Sequence, residues 1–288
     1  MLHIRPVLEE DASEKVRETY ADIKKTLNTH FVPLLFQYIA GFEEYFLYSW
    51  DKVKTNLESD YYKNAVKDII QLSQKSIHAI YHESKQMHAF IASMHEAEKR
   101  PIAQTVEELE QLNATLLILT IGLREGVKGV VIGQQVLPRN AEEYEETVFD
   151  QFINEKIMHA NLRSQEKDIA PASKMLAPLF GGSSLIVSKY PSFFAHIAQE
   201  MDELVKTEKY LHERVAMEHA TLLKALNLQY PLGCTYAEIA LFAGKQPYFS
   251  ELLYILSETF PTKFPRLVFT SSLMQKVLHS SSKEVALQ

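Results

Sequence analysis

One cysteine, Cys234, stands among 288 residues. A lone thiol excludes a disulfide framework and a CxxC redox pair, and it fits a reduced, cytoplasmic setting. Glycine and proline are scarce, at 9 and 11 residues, so few stretches are rich enough in turn formers to be long loops. Basic residues are outnumbered, 30 Lys and Arg against 37 Asp and Glu for a formal charge of -7. No dense Lys/Arg stripe breaks that balance, which excludes a nucleic-acid or anionic-membrane partner. A long uncharged apolar run is missing too. The longest candidate, 116–136, is interrupted by Arg124, Glu125 and Lys128, so no transmembrane span is expected. The opening residues MLHIRPVLEEDASEK hold no apolar core of a secretory signal.

What is present is ample material for a core, 46% hydrophobic residues. Apolar positions recur at i, i+3, i+4 and strand-like alternation persists nowhere, which predicts an all-α protein. Ser13 should cap a helix over 13–27. Pro33 suits the first turn of a second helix, to about Leu57. A third should start near Ser59-Asp60 and run to Arg100, where Pro101 stops it. Thr105 and Glu108 have the spacing of a capping box, opening a helix that Gly122 ends at about Ile121. A further apolar helix is expected to Leu137. Residues 139–175 form a charged connector with one amphipathic helix. Beyond it come helices to about Lys206, over 210–226, 235–242 and 248–260, and a frayed polar tail at 280–288.

An aromatic signature occurs twice. Phe42-Glu43-Glu44-Tyr45-Phe46 matches Tyr190-Pro191-Ser192-Phe193-Phe194 at an offset of 148 residues, and Tyr62 matches Tyr210 at the same offset. This predicts two copies of one helical unit, at 1–138 and 176–279, with a ligand pocket between them. Phe42, Tyr45, Phe46 and Trp50 share one helical face, the pattern of a core.

Few groups carry chemistry. His78 and His82 are spaced i, i+4 and would share a helix face and a metal ion, but no HExxH motif accompanies them, and a solvated polar face is the plainer reading. The turn Gly181-Gly182-Ser183-Ser184 lacks the lysine of a phosphate loop. It can cap a helix, and its backbone N–H groups could meet a small carboxylate. No histidine is placed beside Ser183 as a nucleophilic serine would require.

The stretch Glu18-Thr19-Tyr20-Ala21-Asp22-Ile23-Lys24-Lys25-Thr26-Leu27, with Phe31 and the first aromatic signature, resembles the opening of the group I (non-stereospecific) 2-haloacid dehalogenases. Tyr190-Pro191 and Val205-Lys206-Thr207-Glu208-Lys209-Tyr210 resemble their second repeat. The resemblance implies two repeats arranged as a pseudo-dimer with the active site between them and no metal or cofactor. In that family an aspartate activates water, which displaces halide with inversion. Carried across, the pocket aromatic falls on Phe31, where the family favours tryptophan. The next pocket position falls on Leu34, where it has phenylalanine, and a polar amide position falls near Thr120. Ser184 and Tyr248 complete the expected pocket. The catalytic aspartate, eight residues before the proline of the second signature, falls on Ser183. No Asp or Glu occurs from Ile169 to Gln199, so no shift of register restores it.

The expectation is therefore a dehalogenase-like protein that binds a small organic acid without the standard base, with a homodimer left open. Two alternatives remain open: a working hydrolase with a substitute base such as His196 or a first-repeat carboxylate, and a helical interaction or metal-binding protein.

Overall fold

The computed structural model describes residues 3–133 and 189–284, with side chains through residue 279. The predicted connector at 139–175 and the 181–184 turn with Ser183 and Ser184 lie outside the described residues. The further helix expected to reach Leu137 is not formed over 128–133: the preceding helix ends at Val127, and 128–133 are turn and coil, with Gly129 and Gly133 at φ 98° and 83°. Among the described residues every regular element is helical, as the apolar spacing requires. No helix among them is long and apolar enough to cross a membrane.

The first half contributes α1 (Glu14–Thr26), α2 (Leu34–Ile39), α3 (Glu43–Glu58), α4 (Asp60–Ile80), α5 (Lys85–Ser93) and α6 (Glu96–Val127). The second contributes α7 (Pro191–Leu204), α8 (Glu208–Leu226), α9 (Tyr236–Ala243), α10 (Phe249–Tyr254), a π-turn (Ile255–Thr259) and α11 (Phe260–Glu284). α11 continues past Ser280, where the polar tail was expected to begin.

The two signatures fold alike. Phe42 and Tyr190 stand at matching entries to α3 and α7, with φ/ψ of -118/69° and -126/54°. Ser59 caps α4 by accepting from the Tyr62 N–H, and Thr207 caps α8 by accepting from the Tyr210 N–H. Tyr62 and Tyr210 are both buried, as are Tyr45, Phe46, Phe193 and Phe194.

The long helices α6 and α11 pack against each other through the centre, with α4 on α11 and α8 on α6 flanking them. Each half thus leans on the long helix of the other. Asn56, fully buried, fastens one side: its Nδ2 donates to Tyr230 O at 2.9 Å and its Oδ1 accepts from Tyr230 N at 3.2 Å. The aromatic face of α3 is core, as expected. Trp50 sits edge-to-face on Phe36 and spends its indole N–H on Asp22 at 2.9 Å.

Several helix limits differ from expectation. The helix placed at 33–57 breaks at residues 40–42, separating α2 from α3. The helix placed at 59–100 breaks after Ile80, because extended Tyr81 (φ -98°, ψ 129°) turns its hydroxyl toward Glu200 of α7. Ser84 then caps α5. Pro101 does not stop a helix but lies in the second turn of α6, where the lost N–H costs one bond and the rest of the helix is held by burial. Glu98 caps that helix by accepting from His95 N. The Thr105 side chain caps nothing and donates instead to Pro101 O at 3.0 Å. Gly122 does not end α6 either. A Cβ there would come within 2.9 Å of Leu232 Cδ2, so the glycine serves close packing. The single helix expected at 248–260 is α10, the π-turn and the start of α11.

Candidate functional site

α6 runs through the core, so its polar side chains need partners there. Five are buried: Glu110, Asn113, Thr115, Thr120 and Arg124. Thr115 donates to Gln111 O of its own helix at 2.8 Å, and the other four fall into two groups.

In the first group Glu110 accepts from Gln74 Nε2 at 3.0 and 3.2 Å, and Ser272 Oγ lies 2.9 Å from its Oε1. Ser272 Oγ is also 2.8 Å from Ser73 Oγ, which fits a serine that donates to the carboxylate and accepts from its neighbour. Burial raises the Glu110 carboxyl above the usual range, against the opposing hydrogen bonds from Ser272 and Gln74. One turn on, Asn113 Nδ2 donates to Ser271 Oγ at 2.8 Å. This layer ties α4, α6 and α11 together.

The second group lies where α6, α8 and the start of α11 meet. The Thr120 hydroxyl donates to Leu116 O at 2.8 Å and is spent on its own helix. One turn further, Arg124 is only 4% exposed. Its Nε donates to Glu125 Oε1 at 2.6 Å, and its Nη1 lies 3.6 Å from Glu218 Oε2. Glu218, 3% exposed, also accepts from Arg214 Nε at 3.0 Å. Arg214 reaches on to Thr262 O at 3.3 Å. Arg124 Nη2 is buried and has no hydrogen-bond partner. A guanidinium held by two carboxylates, with one donor unused, can receive an anion.

The expected pocket residues lie on different elements. Phe31, in the loop before α2, and Leu34, at its start, are half-buried against the core. Tyr38 of α2 meets Phe260 edge-to-face at 6.1 Å, which sets α2 beside the π-turn. The π-turn packs on α6, the helix of Thr120. Inserted π-turns recur at functional sites because they displace backbone groups from the regular ladder. Tyr248 stands apart from this. It is 50% exposed, adopts φ 65° at the start of α10 and stacks on His3 at 5.3 Å. His78 and His82 do not share a helix face, since α4 ends at Ile80. An open groove of about 420 Å³, lined by Ala79, Ile80, Glu208, Lys209, His212 and Glu213, includes none of the expected residues.

Other reactive groups are engaged or masked. Burial pushes the Cys234 thiol up to about 12, helped by Glu238, which leaves no thiolate at neutral pH. His196 has Nδ1 2.8 Å from Ser192 O and its ring stacked on Phe90 at 4.1 Å.

Sequence reasoning missed Glu110, Asn113, Arg124 and Glu218 as site residues. For Arg124 the signal was present: a charge inside the longest apolar run of the sequence. Asn113 is the buried amide on α6, two turns before the position assigned near Thr120.

The sequence matches no protein-family model and no curated protein sequence. Among solved structures, a D-2-haloacid dehalogenase mutant in complex with D-2-CPA is similar, with a TM-score of 0.74 and 15% identity over 96% of this chain and 97% of that one. A D-2-haloacid dehalogenase in complex with L-LA gives 0.73 and 16% identity over 96% and 98%. The chain therefore has the helical fold of these D-2-haloacid dehalogenases.

Proposed function

We propose that this protein is dehalogenase-like and binds a small organic acid between two helical repeats, but lacks the aspartate that activates water in group I 2-haloacid dehalogenases. The observation that carries the reading is the end-to-end fold likeness to proteins whose structures hold D-2-CPA and L-LA. The repeat arrangement is supported by the matching entries at Phe42 and Tyr190 and the matching caps at Ser59 and Thr207.

Counting from Pro191, the aspartate position is Ser183, and no carboxylate lies in the surrounding stretch. A neutral hydroxyl has far too little proton affinity to serve as a general base at pH 7. Losing a positioned base costs about 10²–10⁴-fold in rate. Of the candidate substitutes, His196 is held in the contact of α5 with α7, and the buried Glu110 is turned to Gln74 and Ser272. Halide release from D- and L-2-chloropropionate tests the reading. The expected result is none above buffer, and sustained release at ordinary enzymatic rates would overturn it.

A further inference from the structure

Arg124 is a strong cation with an unspent donor. Its residue exposure is 4%, and Nη2 is enclosed without a partner. Leaving a guanidinium donor unpaired in the interior is costly, because the group has given up water and gained nothing in return. The rest of the side chain is not free to turn and satisfy it. Glu125 holds Nε at 2.6 Å and Glu218 lies beside Nη1 at 3.6 Å. Glu218 is itself fixed by Arg214, which is anchored on Thr262 O.

In this cluster Arg124 and Arg214 are matched by Glu125 and Glu218, and Lys128, its side chain 53% exposed, adds a third cation 3.3 Å from Glu125 at the solvent edge. The cluster joins α6 of the first half to α8 and α11 of the second, one turn along α6 from Thr120.

From these observations we infer that Arg124 Nη2 is the anchor for the carboxylate of a small monoacid bound between the two halves. This rests on the small-acid reading above and adds the residue and the chemistry that hold the ligand. Only one free edge is offered, which suits a compact monocarboxylate and not a dicarboxylate or a phosphate.

The test is calorimetric titration with D- and L-2-chloropropionate of the native chain, Arg124→Gln and Arg214→Gln. Arg214→Gln removes a cation from the same cluster but leaves the unspent donor in place. Arg124→Gln should weaken binding about tenfold or more, and Arg214→Gln should weaken it much less. Equal losses in the two variants, or no loss in Arg124→Gln, would overturn the assignment while leaving small-acid binding intact. Absence of binding by the native chain would overturn the small-acid reading itself.

Should Arg124→Gln fail to fold, crystals of the native protein soaked separately in 2-bromopropionate and in sodium bromide decide the matter. A carboxylate within hydrogen-bond reach of Arg124 Nη2, its bromine located by anomalous scattering, supports the assignment. The acid bound elsewhere, or bromide ion alone at Nη2, overturns it.

Discussion

The Tyr48 ring stacks on Phe242 with centroids 4.4 Å apart, and its hydroxyl donates to Glu238 at 2.8 Å. Tyr48 lies 148 residues before His196, which stacks on Phe90 at 4.1 Å. In one contact a second-half arm, α9, rests on α3, and in the other a first-half arm, α5, rests on α7. Each also has a carboxylate that accepts from the facing helix or loop, Glu238 from Tyr48 and Glu200 from Tyr81 and Ser84. If the halves are copies of one unit, the two contacts should be energetically alike. Double-mutant cycles on Tyr48/Phe242 and His196/Phe90, measured by urea unfolding, should each give a coupling of about 0.5–1.5 kcal/mol. A coupling confined to one pair would count against the equivalence.

Glu110 makes stability depend on pH in a defined direction. Its folded-state carboxyl is raised by burial, so the native state holds a proton that the unfolded state releases at a lower pH. Between those two values the native chain gains stability as pH falls, and above the folded value a buried charge weakens it. Glu110→Gln keeps the shape without the charge. The advantage of the variant in thermal melts should be largest near pH 8 and shrink toward the ordinary glutamate value of about 4.3. A difference that stays constant over that range would show that Glu110 does not titrate in this way.

Gly126 is hemmed in by the second half. A Cβ added there would collide with Cys234 Sγ and lie 2.7 Å from the Cys234 carbonyl oxygen. Helix propensity favours alanine over glycine by about 1 kcal/mol, yet overpacking a filled interior costs about 1–3 kcal/mol or more. Gly126→Ala should therefore destabilise despite its helical setting, read as a lower urea midpoint. Stabilisation would mean that the backbone of residue 234 yields easily.

Ser183→Asp supplies the residue type that group I 2-haloacid dehalogenases carry eight residues before the proline of the matching signature. With a pocket competent to hold the acid, the variant should release chloride from 2-chloropropionate where the native chain does not, with a pH profile set by the new carboxylate. No release by a folded variant that still binds the acid would show that Ser183 is not the equivalent position.

Much of the fold was legible in local sequence, because local chemistry decided it. Ser13, Ser59 and Thr207 cap the helices they precede, and the aromatic faces of α3 and α7 are core. The misreadings were set by distant partners. Gly122 reads as a terminator until Leu232 is seen against it, and the break after Ile80 follows from the reach of Tyr81 to Glu200. The polar residues of the candidate site were hard to find for the same reason. Glu110 and Arg124 look like solvated or span-breaking charges until Ser272 and Gln74, or Glu218 and Arg214, come in from other helices.

Titration calorimetry of the native chain with D- and L-2-chloropropionate, with chloride followed in the same samples, separates binding from hydrolysis. The expected result is saturable binding of one acid per chain and no chloride above buffer. Steady chloride release would contradict the loss of the reaction, and an absence of binding heat at millimolar acid, confirmed at a second temperature, would contradict the small-acid site.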